Sequence, residues 1–74
     1  MRDRLIEVFK RTFEVEKVNE NTSQKNLENW DSLNHINLVI EIENEFEISI
    51  EPEEMDEMKD FKTIERIVSE KLKN

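Results

Sequence analysis

The chain has 74 residues, enough for one small domain that buries only about 60% of the surface its unfolded form exposes. Eleven basic and 19 acidic side chains give a formal net charge of -8, which argues against nucleic acid and anionic membrane surfaces as partners, since both are bound by clustered Lys and Arg. With no cysteine and no glycine, the sequence excludes a disulfide scaffold, a thiolate metal site and the glycine-rich loops that cradle phosphates.

No apolar run approaches the roughly 18 residues of a membrane helix, and the N-terminus lacks a signal-peptide core, so a cytoplasmic protein is expected. Glu, Lys and Leu are frequent and alternating β-branched patterns are few, which favours an all-α fold. The charge is uneven. Residues 32–60 hold ten acidic side chains and one basic one, whereas the segments on either side are close to balanced. Such a run is either a solvated helix face or a docking surface that steers basic partners.

The first helix is predicted over about Asp3 to Glu16. Leu5, Phe9 and Phe13 recur every four residues with Ile6 beside them, and Asp3 can cap the start. Residues 19–29 then read as a long loop, Asn-Glu-Asn-Thr-Ser-Gln-Lys-Asn-Leu-Glu-Asn, anchored by Leu27. Its four asparagines are candidates for left-handed backbone in a chain without glycine. Trp30 is expected to pack this loop onto the helices, or else to lie beside whatever is attached next to it.

The second helix starts at Asp31 or Ser32, both good caps, and continues to Glu45 or Phe46. At about 100° per residue, with Leu33 at zero, Leu38, Val39, Ile42 and Phe46 fall between about 140° and 240°. Leu33, Ile36 and Ile40 fall between about 300° and 360° and form a second apolar strip. An arc this wide implies either a central helix or a partly exposed strip beginning one residue after Ser32. Ile48 and Ile50 connect to a short third helix opened by Pro52, with Met55 and Met58 turned inward. Asp60 caps a fourth helix with the stripe Phe61, Ile64, Ile67, Val68 and Leu72. The expected architecture is an antiparallel four-helix bundle with a short third helix and a long loop between the first two, forming one domain over 1–74.

No residue set builds a conventional catalytic site, and no catalytic residues are assigned. Ser32 and His35 are neighbours on one helix, but a nucleophile–base pair also needs an orienting group and an oxyanion hole. The glutamates 41, 43, 45 and 47 point successively to different faces, so no metal site is expected. His35 reads as a surface or mouth residue.

The run from Trp30 through Asp31-Ser32-Leu33 to Glu45-Phe46, with Ile48-Ser49-Ile50-Glu51-Pro52-Glu53-Glu54 and Phe61-Lys62-Thr63-Ile64 after it, resembles the acyl carrier protein family. The likeness spans residues 30–72. It implies 4′-phosphopantetheine joined to Ser32 by a phosphopantetheinyl transferase, with Asp31 and Leu33 flanking the attachment point. The terminal thiol of that arm then holds an acyl group as a thioester. A phosphodiester at Ser32 would sit at a helix N-terminus, where amides and the helix dipole favour an anion.

The resemblance further implies that Ile36, Asn37, Ile40, Glu41 and Asn44 form the acyl-chain mouth and the dock for acyl-loading and acyl-transferring enzymes with basic patches. A monomeric, non-catalytic carrier is the leading expectation. An aminoacyl, D-alanyl or peptidyl carrier is the alternative, and a small acidic helical adaptor without a prosthetic group is the rival from another class. Asn34, Asn37 and Asn44 stand where acidic residues are common in the family, which suits a dedicated pathway better than bulk fatty acid synthesis.

Overall fold

The computed structural model describes residues 1–73. It contains four α-helices: α1 (Arg2–Phe13), α2 (Ser32–Phe46), α3 (Pro52–Glu57) and α4 (Phe61–Leu72). Among the described residues there is no strand, only a single antiparallel bridge between Ser23 and Asp60. The all-α four-helix bundle with a short third helix matches the expectation.

One hydrophobic core unites the helices. Leu5, Val8, Phe9 and Phe13 enter it from α1, and Leu38, Val39, Ile42 and Phe46 from α2. Met58, Phe61, Ile64, Ile67 and Val68 close it from the other side. Both halves of the α2 wheel are resolved by burial. The strip centred on Ile42 is buried, while Leu33 (68% exposed), Ile36 and Ile40 face solvent. Leu72, expected in the α4 stripe, is the last residue of that helix and is 46% exposed.

The helix ends differ from expectation in informative ways. α1 begins with Met1 as its N-cap rather than Asp3, which instead places a carboxylate in the first turn at the positive end of the dipole. It ends at Phe13, three residues before Glu16. Glu14 turns left-handed (φ 54°), and the amides of Glu14 and Val15 both return to Lys10 O. α2 ends the same way: Glu47 is left-handed (φ 54°), and the amides of Glu47 and Ile48 return to Glu43 O. In each case a Phe ends the helix, a Glu takes the strained position and a β-branched residue packs back against the core. Phe13-Glu14-Val15 and Phe46-Glu47-Ile48 are thus the same stop signal written twice.

The loop asparagines take no left-handed backbone; Glu14 and Glu47 do. The asparagines serve through their amides instead. Asn19 Oδ1 accepts from Asn21 N–H, Asn26 Oδ1 accepts from Ser23 N–H, and Asn29 Nδ2 donates to Phe13 O. Backbone bonds fasten the loop to the α3–α4 junction, Phe61 N–H to Thr22 O (2.8 Å) and Gln24 N–H to Lys59 O (3.0 Å). Trp30 is buried and packs on Phe9 and Phe13 at ring distances of 5.6 and 5.2 Å, so it does pin the loop to the bundle.

Ion pairs tie the helices together on the outside. Arg4 and Arg11 of α1 reach Glu45 of α2, Arg11 also reaches Glu41, Arg2 pairs with Glu65 of α4, and Lys71 of α4 pairs with Glu54 of α3. The Arg4 guanidinium also lies over the Phe46 ring.

Candidate prosthetic-group site

Ser32 is the first residue of α2 and is exposed. The helix cap is Asp31, whose Oδ1 accepts from Asn34 N–H at 2.9 Å. This settles the cap in favour of Asp31, and the Ser32 hydroxyl is left facing solvent. Amides of the first helical turn have no carbonyl ahead of them, so the amides of Ser32 and Leu33 are available at the positive end of a 15-residue helix.

Beside Ser32 lies an open groove of about 510 Å³, lined by Gln24, Trp30, Asp31, Ser32, His35, Ile36, Met55 and Asp56. Three elements build it: the long loop, the start of α2 and the end of α3. Its floor is a hydrogen-bonded strut. Trp30 Nε1–H can only donate, and it meets His35 Nδ1 at 2.9 Å. Nδ1 is therefore the acceptor, the proton sits on Nε2, and Nε2–H donates to Met55 O at 2.9 Å. The two rings stack at 6.1 Å. His35, expected at the mouth, is half-buried in this strut.

No lining residue is Lys or Arg. An anion at Ser32 would therefore be favoured by the helix end rather than by a cationic side chain. An exposed hydroxyl, free first-turn amides and an adjoining groove with apolar and amide-binding surfaces fit a phosphodiester-linked arm.

The outer face of α2 carries Leu33, Ile36, Asn37, Ile40 and Asn44, all exposed. The expected docking residues Ile36, Asn37, Ile40 and Asn44 share one face with Leu33 within about 100° of arc. Glu41 is turned away toward α1, where its Oε1 accepts from Arg11 Nε at 2.9 Å. Asn34 is also engaged, donating from Nδ2 to Asn29 O (2.8 Å) while its Oδ1 accepts from Asn37 Nδ2 (3.3 Å). The exposed carboxylates that line the groove are Asp31, ahead of α2, and Asp56 of α3, while Glu53 and Glu57 of α3 are also exposed.

Met55, Asp56 and Gln24 were not picked out as site residues from the sequence. Met55 carries an apolar signal that reads equally as core, and it is partly that, packing against the buried cluster.

Local hydrogen bonds hold several carboxyls in the ionised form. Lys71, with help from Glu51 N–H, holds Glu54 below the usual carboxylate range. The Thr63 amide does so for Asp60, Arg2 for Glu65, and Arg4 together with Arg11 for Glu45. Among the described residues, no group of His, Cys, Asp or Glu is placed to hold a metal ion, and no helix is long and apolar enough to cross a membrane.

The solution NMR structure of a holo acyl carrier protein from Geobacter metallireducens superposes on this chain with a TM-score of 0.85. The chain has an acyl carrier protein fold. The two sequences are 28% identical over 95% of this chain and 83% of the other. No family model matches the sequence. No curated protein matches it either. The likeness supports a carrier role, as the sequence resemblance implies.

Proposed function

We propose that this protein carries acyl groups on 4′-phosphopantetheine attached to Ser32, as a monomeric, single-domain, non-catalytic carrier of the cytoplasm. The observation that carries this reading is the position of Ser32: an exposed hydroxyl at the first residue of α2, beside a groove, in a chain with an acyl carrier fold. When attached, the arm supplies the thiol on which an acyl group is held. The contribution of the chain itself is to present Ser32, to favour the phosphodiester with the first-turn amides of α2, and to offer the groove walls to the arm. Asp31 holds that turn in shape, and Leu33 begins the outward apolar strip.

The partners proposed are a phosphopantetheinyl transferase and enzymes that load and remove the acyl group. They would meet the face formed by Leu33, Ile36, Asn37, Ile40 and Asn44. This face is apolar and amide-bearing, with charge supplied from α3 rather than from α2 itself. Asn37 and Asn44 therefore remove charge where a partner built for an acidic helix expects it, which supports service in a dedicated pathway. Each exposed ion pair is worth about 0.2–1 kcal/mol, so two missing pairs cost up to about thirtyfold in affinity.

The lining carboxylates Asp31 and Asp56, with no lining Lys or Arg, favour one second reading, an aminoacyl cargo whose ammonium they could meet.

The test is intact mass after incubation with coenzyme A and a broad-specificity transferase. The native chain should gain one arm and Ser32→Ala none. Absence of any gain in the native chain supports the adaptor reading instead. Loading by transferases for acyl and aminoacyl groups then separates the two cargo classes.

A further inference from the structure

The groove next to Ser32 and the interior of the bundle are separated by one layer. On the groove side of that layer lie Ser32 and Ile36; on the other side lie Phe9 and Phe13, which are 0% and 1% exposed. The layer itself is Trp30, His35 and the Met55 backbone. Trp30 seats edge-on against Phe9 and tilted on Phe13, and it is held by its indole N–H on His35 Nδ1. His35 in turn holds α3 through Met55 O.

Both imidazole nitrogens are thus spent on bonds that span three separate segments: the loop, α2 and α3. For an alkyl chain to pass from Ser32 into the core, the indole must leave its aromatic seat or α3 must swing away from α2. Either movement breaks a hydrogen bond of a half-buried imidazole and leaves its partner without a replacement. Behind the layer, Leu38, Ile42, Met58 and Ile64 are all 0% exposed, and protein interiors in general pack near crystal density. The groove itself is open and part polar, with Gln24, Asp31 and Asp56 among its walls.

Resting on the carrier reading above, we infer that the Trp30–His35–Met55 strut is a specificity device: it shuts the bundle interior to the cargo, so that the carrier takes short acyl groups held in the surface groove. A long alkyl chain gains nothing from this protein beyond the outward strip of Ile36 and Ile40, where one side of the chain stays in water.

The experiment begins with the unmodified protein, in which ¹⁵N NMR of His35 should show a bare Nδ1 and a protonated Nε2. A proton on Nδ1 at neutral pH removes the strut and overturns the inference. The protein is then loaded with acetyl, butanoyl, hexanoyl and octanoyl pantetheine arms by a broad-specificity transferase. Failure to load at Ser32 would refute the carrier reading without touching the strut.

In the loaded forms, the methyl signals of Leu38, Ile42 and Ile64 should be indifferent to chain length, and the thioesters should hydrolyse at a common rate. Burial of the chain would instead increase sheltering about fourfold per methylene. A slope near that value, or octanoyl-dependent shifts in the core methyls, overturns the inference. In His35→Ala the strut is lost, and octanoyl should shift the core methyls and slow its own hydrolysis. A folded His35→Ala variant whose core still ignores the octanoyl group overturns the role given to His35, and if the variant does not fold, the native chain-length series decides alone.

Discussion

Capping and modification fall on adjacent residues, Asp31 and Ser32, and the structure separates them. The cap bond runs from Asn34 N–H to Asp31 Oδ1 at 2.9 Å, while the Ser32 hydroxyl takes no part in capping. Replacing an Asp cap by Ala costs about 1 kcal/mol, within a range of roughly 0.5–2. For a domain of this size that corresponds to a fall in Tm of about 4–8 °C. Asn caps about as well as Asp, so Asp31→Asn should lose little beyond the dipole interaction, about 0.3–1 kcal/mol. Ser32→Ala should change stability by no more than about 0.5 kcal/mol, because it removes an exposed hydroxyl at a position where Ala is a good helix former. Thermal and urea melts monitored by circular dichroism measure all three, and intact mass after transferase treatment scores modification. Asp31→Ala should be less stable yet still modified, and Ser32→Ala should be stable yet unmodified. A Ser32→Ala variant that melts as low as Asp31→Ala would show that the hydroxyl caps the helix and that the geometry above is wrong.

Three further outcomes are expected. Ile42→Ala should cost about 2–5 kcal/mol in urea unfolding, whereas Ile40→Ala, two residues away on the exposed strip, should stay within about 0.5 kcal/mol; comparable losses would contradict the burial pattern. Tm should rise from low to moderate sodium chloride, because the excess of negative charge in residues 32–60 outweighs exposed ion pairs of small individual worth; a flat or falling trend in calorimetry would show that the Arg4, Arg11 and Arg2 pairs dominate. On acidification, Glu54, Asp60 and Glu65 have folded pKa values below their unfolded ones, so their stabilisation is intact above the unfolded carboxylate value of about 4 and is lost as pH falls through the folded values. An acid titration by circular dichroism should show stability declining only in that window, and a decline beginning near neutrality would point elsewhere.

The parts of the fold legible in the sequence were those with a period. The wheel of α2 separated Leu38, Val39, Ile42 and Phe46 from Leu33, Ile36 and Ile40, and burial follows that division residue by residue. Asp60 and Pro52 marked helix starts because their chemistry suits few other places. The end of α1 was not legible. Glu14-Val15-Glu16 continues a helical charge pattern, and only the packing of Val15 back on the core pulls Glu14 out of it. The twin segment at Phe46-Glu47-Ile48 was the signal available. The partners of Asn34 and Glu41 were not legible for a related reason: each reads as a free surface group until the loop places Asn29 beside one and α1 places Arg11 beside the other. The strut of Trp30, His35 and Met55 depends on three segments meeting, and no local pattern encodes it.

The stitching of residues 22–24 to residues 59–61 also sets an order of assembly. Closing a loop costs entropy that is repaid only when its contacts exist, and for this loop two of the backbone partners belong to Lys59 and Phe61. Helices α1 and α2 can collapse on each other early, with Asn29 and Trp30 seated against α1, but residues 22–24 lack their partners Lys59 and Phe61 until the start of α4 arrives. During synthesis, therefore, the groove that adjoins Ser32 acquires its Gln24 wall only after some thirty-five further residues have been made, and a transferase meeting the nascent chain before then would find the serine without its surroundings.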